Sequence, residues 1–108
     1  MKFSVHMIAD AELDLLEIYR YVALNDSRER ADRLLEELEN TILSLETFPM
    51  RSHVPPELER IGVMDYRETH YKSHRIVYEV RGGDVFVHCV LDGRRELQEL
   101  LFKRMLRE

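Results

Sequence analysis

Residues 2–8 alternate, with Phe3, Val5 and Met7 on one side and Lys2, Ser4 and His6 on the other, which predicts a strand. The period then lengthens. Over residues 10–24, Ala11, Leu15, Ile18 and Val22 form one helical stripe, widened by Leu16, Tyr19 and Ala23. Asn25-Asp26-Ser27 breaks this pattern. Asp26 or Ser27 can cap a second helix, and Glu29 stands three after Asp26 in capping-box register. That helix runs to about Thr47, with Ala31, Leu34, Leu35, Leu38, Ile42 and Leu45 on one face. Two stripes joined by so short a turn predict an antiparallel helical hairpin. Residues 48–62 hold all three prolines, Pro49, Pro55 and Pro56, and read as an ordered loop.

Strands are expected over 63–70, 75–81 and 84–91. The first contains Asp65, Arg67 and Glu68, which are poor strand formers. Gly82-Gly83 marks a tight hairpin between the other two. Strict alternation places Val85, Val87, Cys89 and Leu91 on one face of the last strand, and Phe86, His88 and Val90 on the other. A strand apolar on both faces needs cover on both. Leu97, Leu100, Leu101 and Met105 form a last helix with cations near its C-terminus. The order β-α-α-β-β-β-α predicts a single α+β domain over 1–108, with the helical hairpin packed on a mostly antiparallel four-stranded sheet. The face away from the hairpin, with Arg75, Val77, Glu79, Phe86, His88 and Val90, is expected to suit a partner.

Composition narrows the function. The chain has 108 residues, 44% hydrophobic and 34% charged, which excludes disorder and low complexity. A single cysteine, Cys89, excludes an internal disulfide and a zinc-holding cysteine cluster. No apolar run approaches the ~20 residues of a membrane span, and the opening Met1–Ile8 does not resemble a signal sequence, so a cytoplasmic protein without membrane contact is expected. The formal net charge of −5 argues against a general nucleic-acid binder. The charge is uneven: residues 9–47 hold eleven acidic and four basic residues, whereas residues 66–81 carry a net +2 and residues 92–108 a net +1.

Most chemical candidates are weak. His70 and His74 have a helical metal-ligand spacing but straddle a strand turn, so no metal and no cofactor are expected. His88 could act as a general acid or base, although such a residue is more often a satisfied strand histidine. Cys89 reads as core. There is no phosphate-binding glycine loop and no nucleophile elbow. The arginines are more informative. Arg75 opens the best strand and Arg94-Arg95 follow Gly93 where the last strand ends. Guanidinium groups placed so would grip phosphate or carboxylate.

Several segments together resemble the RelE/ParE superfamily of toxins from type II toxin-antitoxin modules. They are Ala11-x-x-Asp14-Leu15-x-x-Ile18-x-x-Tyr21, Leu45-x-x-Phe48-Pro49, Pro56-Glu57-Leu58 before Gly62, Asp65-Tyr66-Arg67-Glu68, Arg75-Ile76-Val77-Tyr78-Glu79-Val80 and Gly93-Arg94-Arg95-Glu96-Leu97 before Arg104-Met105-Leu106. The resemblance implies one of two activities, ribosome-dependent messenger-RNA cleavage (RelE-like) or non-enzymatic inhibition of DNA gyrase (ParE-like). RelE-like members resemble nucleases with two lysines, two arginines and a tyrosine at the site. Aligned through Arg75 and Gly93, the lysine positions fall on Tyr66 and Glu68 and the tyrosine position on Leu101, while Arg75 and Arg95 match the arginines. The cationic clamp is kept and the proton-transfer groups are not, which favours a ParE-like gyrase inhibitor with no catalytic residues. The alternative is a nuclease using Arg75, His88 and Arg95; a second alternative is a non-toxic binding scaffold. A cognate antitoxin is the implied partner, gripping Arg67, Arg75, Val77, Phe86, Arg94 and Arg95, with DNA contacted only through the antitoxin. Exposed positive charge on the last helix, Lys103, Arg104 and Arg107, is the expected target-binding patch.

Overall fold

A computed structural model describes residues 2–93 and 95–106. Strand β1 (Ser4–Met7) leads into helices α1 (Ala9–Asn25) and α2 (Arg28–Leu43). Two 3-10 turns, Ser44–Glu46 and Pro49–Arg51, and a one-turn helix α3 (Pro56–Glu59) occupy the proline-rich segment. Strands β2 (Tyr66–Tyr71), β3 (His74–Arg81) and β4 (Asp84–Asp92) and helix α4 (Leu97–Leu106) complete the chain. The sheet order is β1-β4-β3-β2, with β1 parallel to β4 and the other pairs antiparallel. The expected α+β architecture is therefore present, with the short α3 as an addition. Among the described residues no helix is long and apolar enough to cross a membrane.

The ends of the elements follow from local chemistry. Ser27 caps α2 by accepting a hydrogen bond from the Arg30 N–H at 3.1 Å, while Asp26 pairs with the Arg30 guanidinium at 3.2 Å. The capping serine is thus Ser27, and Asp26 makes an i,i+4 pair instead of a capping box. Arg81 stands opposite Asp84, so Gly82 and Gly83 form the two-residue hairpin turn, with Gly82 at φ +57°.

Both faces of the sheet are covered. On the first, α1 and α2 bury Ala11, Leu38 and Ile42 against Ile76, Tyr78, Val85, Val87 and Val90. On the second, α3 and α4 bring Leu58, Leu97 and Leu101 onto Tyr66, Val77, Cys89 and Leu91. This corrects two expectations. The second face is not left open for a partner: α3 and α4 take most of it. Strict alternation along β4 also fails at His88. Val77 stands opposite Cys89 and Tyr78 opposite Val87, so His88 is one extra residue, a β-bulge. Beyond it the faces exchange: Cys89 and Leu91 join the second cluster and Val90 the first.

The bulge lies where β4 loses its neighbour. β1 pairs only with Asp84–Val87, which leaves the following backbone groups on that edge without a strand. Two charged side chains fill the gap. Asp14 of α1 accepts the Val90 N–H at 2.9 Å, and Arg104 of α4 donates to the His88 carbonyl at 2.9 Å. The two meet through a bidentate pair at 2.6 and 2.9 Å, with Asp14 4% and Arg104 9% exposed. Arg104 therefore fastens α4 to α1 around the strand edge.

Candidate functional site

The β2–β3 ladder places Glu68, His70 and Arg75 on the second face of the sheet. Glu68 and His70 are two apart on β2 and share a face, and Arg75 stands directly opposite His70. The loop before α3 adds a single antiparallel bridge to β2: the Glu68 N–H donates to the His53 carbonyl at 2.9 Å, which sets the His53 side chain beside Glu68. α3 then presents Glu57. The left-handed residue Lys72 (φ +51°) turns the chain between β2 and β3, and the Gly93 N–H donates to the Ser73 carbonyl at 2.9 Å. A Cβ on Gly93 would stand 3.0 Å from that same oxygen, so glycine allows the close approach. Together these segments line an open cleft of about 630 Å³.

The cleft floor is ionic. The Arg75 Nη1 and Nη2 groups donate to both Glu57 carboxylate oxygens at 2.7 Å each, and Nε donates to Glu68 Oε1 at 2.6 Å. Glu57, then Glu68, hold the Arg75 guanidinium charged, with a pKa well above its ordinary value against the opposing effect of burial. In return, the hydrogen bonds from Arg75 hold the Glu57 carboxyl below the usual range. Glu68 is 2% exposed. Its two oxygens also face two imidazoles: His53 Nε2 lies 3.1 Å from Oε2 and His70 Nε2 lies 3.3 Å from Oε1. The histidine rings stack with centroids 5.7 Å apart.

The residues singled out from the sequence separate widely. Arg75 is in the cleft. Val77 is fully buried, so it is a core residue. Arg67 donates to the Met50 and Ser52 carbonyls at 3.1 and 2.5 Å, fastening the second 3-10 turn to β2. Phe86 is half-buried at the other end of the second face, stacked on His6, with the Arg81 guanidinium 5.5 Å from its ring centroid. His88, at the bulge, lies three residues along β4 from Leu91, the residue opposite Arg75. Its ring contacts Glu79 at 3.2 Å and the Tyr66 ring edge-on, away from the Arg75 carboxylates. Arg95 is exposed and shares a small groove with Lys103, Glu96 and Glu99. Lys103 is exposed but Arg104 is buried in its pair with Asp14, so the expected cationic patch on the last helix loses its middle member. Arg94 and Arg107 lie outside the described residues. Cys89 is core, and burial pushes its thiol up to about 11, which suits no nucleophile.

His53 was not among the candidates, because only the bridge to β2 brings it to the cleft. His70 and His74 do not converge: His74 is on the other face of β3, opposite Tyr71 and Asp92. The signal available in the sequence was narrower, the same-face spacing of Glu68 and His70 on a predicted strand with Arg75 soon after.

No curated protein matches the chain in sequence. In structure it is similar to the chromosomal ParDE toxin-antitoxin system from P. aeruginosa, with a TM-score of 0.71 and 15% identity over 84% of this chain and 96% of that one. It is also similar to the toxin-antitoxin complex RelBE2 from Mycobacterium tuberculosis, with a TM-score of 0.62 and 14% identity over 85% of this chain and 92% of that one. Identities this low speak for the fold alone. The family described as "ParE toxin of type II toxin-antitoxin system, parDE" matches residues 7–97. With that match spanning most of the chain, from the end of β1 to the start of α4, the protein belongs to the ParE toxin family.

Proposed function

We propose that this toxin of ParE/RelE type works by docking rather than by catalysis, with DNA gyrase as its target and a cognate antitoxin as its neutralising partner. The observation that carries this reading is the state of Arg75. All three of its nitrogens donate to its own chain's carboxylates, so a phosphodiester would have to displace Glu57 and overcome repulsion from Glu68. The positions where RelE-like nucleases resemble one another in carrying lysine and tyrosine are here Tyr66, Glu68 and Leu101, all buried. A purified-gyrase supercoiling assay tests the reading: inhibition is expected at micromolar toxin, and its absence counts against a gyrase target.

For the antitoxin, Arg67 and Val77 serve the fold and Arg75 is held by its own carboxylates, which leaves Phe86 and Arg95 among the described members of the expected surface; Lys103, expected to meet the target, shares the Arg95 groove. An acidic antitoxin segment lying along α4 would pair with Arg95 and Lys103. Arg95→Glu combined with Lys103→Glu is expected to weaken antitoxin binding at least tenfold by calorimetry, and unchanged affinity would remove α4 from the interface.

One observation favours a second reading, a ribosome-dependent ribonuclease. His53, His70 and Glu68 supply groups able to move protons beside a guanidinium, in an open cleft. Under that reading transcripts are cut in a translation extract and His70→Ala abolishes the cutting, whereas docking to gyrase is indifferent to His70.

A further inference from the structure

The gyrase reading leaves the imidazoles and the carboxylate of the cleft without a task. One ring nitrogen each of His53 and His70 and one carboxylate oxygen of Glu68 lie within 4.8 Å of one another. We propose that His53, Glu68 and His70 form a three-ligand site for a divalent transition metal of the zinc class, with the fourth coordination position open to the cleft.

Three observations converge on it. The first is spacing. Ligand atoms bonded at ~2.1 Å to a tetrahedral ion stand about 3.4 Å from one another. His53 Nε2 stands 3.1 Å from Glu68 Oε2 and His70 Nε2 stands 3.3 Å from Oε1, each ring close to that edge length from one oxygen of the carboxylate. The second is charge. Glu57 and Glu68 bring two negative charges to the single guanidinium of Arg75, and Glu57 takes both terminal nitrogens. Glu68 takes only Nε, and the rest of its buried carboxylate faces the two imidazoles, so a cation held between carboxylate and rings would meet a negative charge and two nitrogen donors at once. The third is orientation. Arg75 Nε fixes the Glu68 carboxylate through Oε1 at 2.6 Å, the orienting role that hydrogen-bonding partners play for metal ligands. The bridge between His53 and Glu68 and the β2 spacing of Glu68 and His70 fix both rings relative to it.

The donor set selects the ion. Two imidazoles and one carboxylate suit zinc, nickel, cobalt or iron(II), and not magnesium or calcium, which take oxygen ligands. The rings sit at the cleft rim, with side-chain exposures of 58% for His53 and 42% for His70, so an ion has direct access from solvent. Arg60 and Lys72 also line the cleft, which makes an anionic fourth ligand such as a carboxylate the natural complement.

The test uses the full chain stripped of metal with a chelator and titrated with zinc by calorimetry and with cobalt(II) by visible absorption. One equivalent of zinc is expected to bind with a Kd on the order of 10 µM or tighter, and cobalt to give the d–d bands of a low-coordinate site. His53→Ala and His70→Ala, both at exposed rings that leave the core intact, should each weaken binding at least tenfold, while His74→Ala leaves it unchanged. Circular dichroism checks that each variant is folded. Absence of saturable zinc binding, or equal binding by the His53→Ala/His70→Ala double variant, would overturn the proposal and leave the rings as hydrogen-bonding partners of Glu68 only. The readout is independent of gyrase and of the antitoxin, so its failure leaves the toxin reading standing.

Discussion

Arg75 and Arg104 make an instructive pair. Both are buried, each is bidentate to a carboxylate, and each reads in the sequence as a cation offered to a partner. Their surroundings differ. Arg104 is sealed between α1, α4 and the unpaired edge of β4, and its partner Asp14 also accepts a backbone N–H, so the cluster replaces a missing strand. Arg75 faces an open cleft, and one of its two carboxylates, Glu68, reaches on to two histidines. Burial with a partner marks a structural ion pair in the first case. In the second, two imidazoles beside Glu68 and solvent access leave a site with chemistry to spare. Burial of an arginine alone does not separate the two; what else its carboxylates touch, and their access to water, do.

The largest effect that would break this contrast is at the sealed pair. Asp14→Ala or Arg104→Ala should each cost ~3–5 kcal/mol in urea denaturation, because the remaining charge stays buried without compensation and a strand-edge group loses its partner. A loss under 1 kcal/mol would mean that water replaces the pair and that α4 is not fastened there. Arg75→Ala should cost less, about 2 kcal/mol, because the cleft admits water to Glu57 and both histidines still face Glu68. A loss equal to that of Arg104→Ala would erase the distinction. The smallest effect concerns pH. The Glu57 carboxyl is held below its ordinary range by Arg75, so its contribution to stability is complete above that range and is lost as pH falls through it. Between neutral pH and pH 3 the urea midpoint of Glu57→Gln should therefore fall less than that of the wild type, and parallel curves would show that the pairing contributes nothing to folding.

Much of this architecture was legible in the residues. The 3.6-residue stripes of α1 and α2, the Gly82-Gly83 turn and the alternation of residues 75–81 are local signals, and they placed the hairpin on the sheet correctly. What could not be read was non-local. The His88 bulge depends on how β4 pairs with β3, and it moves Cys89, Val90 and Leu91 to faces that alternation alone would not give them. Asp14 stood inside a recognisable helical pattern, yet its partner is 90 residues away on α4. His53 looked like one polar residue in a proline-rich loop, and only the bridge to β2 makes it a neighbour of Glu68. Charge clusters in this fold are assembled by sheet register and loop closure, which no single segment encodes.

Gyrase supercoiling titrated with the wild type and with His53→Ala/His70→Ala puts docking against catalysis most directly. The expected result is inhibition of equal potency by both proteins, since no cleft histidine is needed to occupy the enzyme. A wild type that leaves supercoiling untouched at micromolar concentration, yet cuts transcripts on ribosomes in a way the double variant cannot, would contradict it.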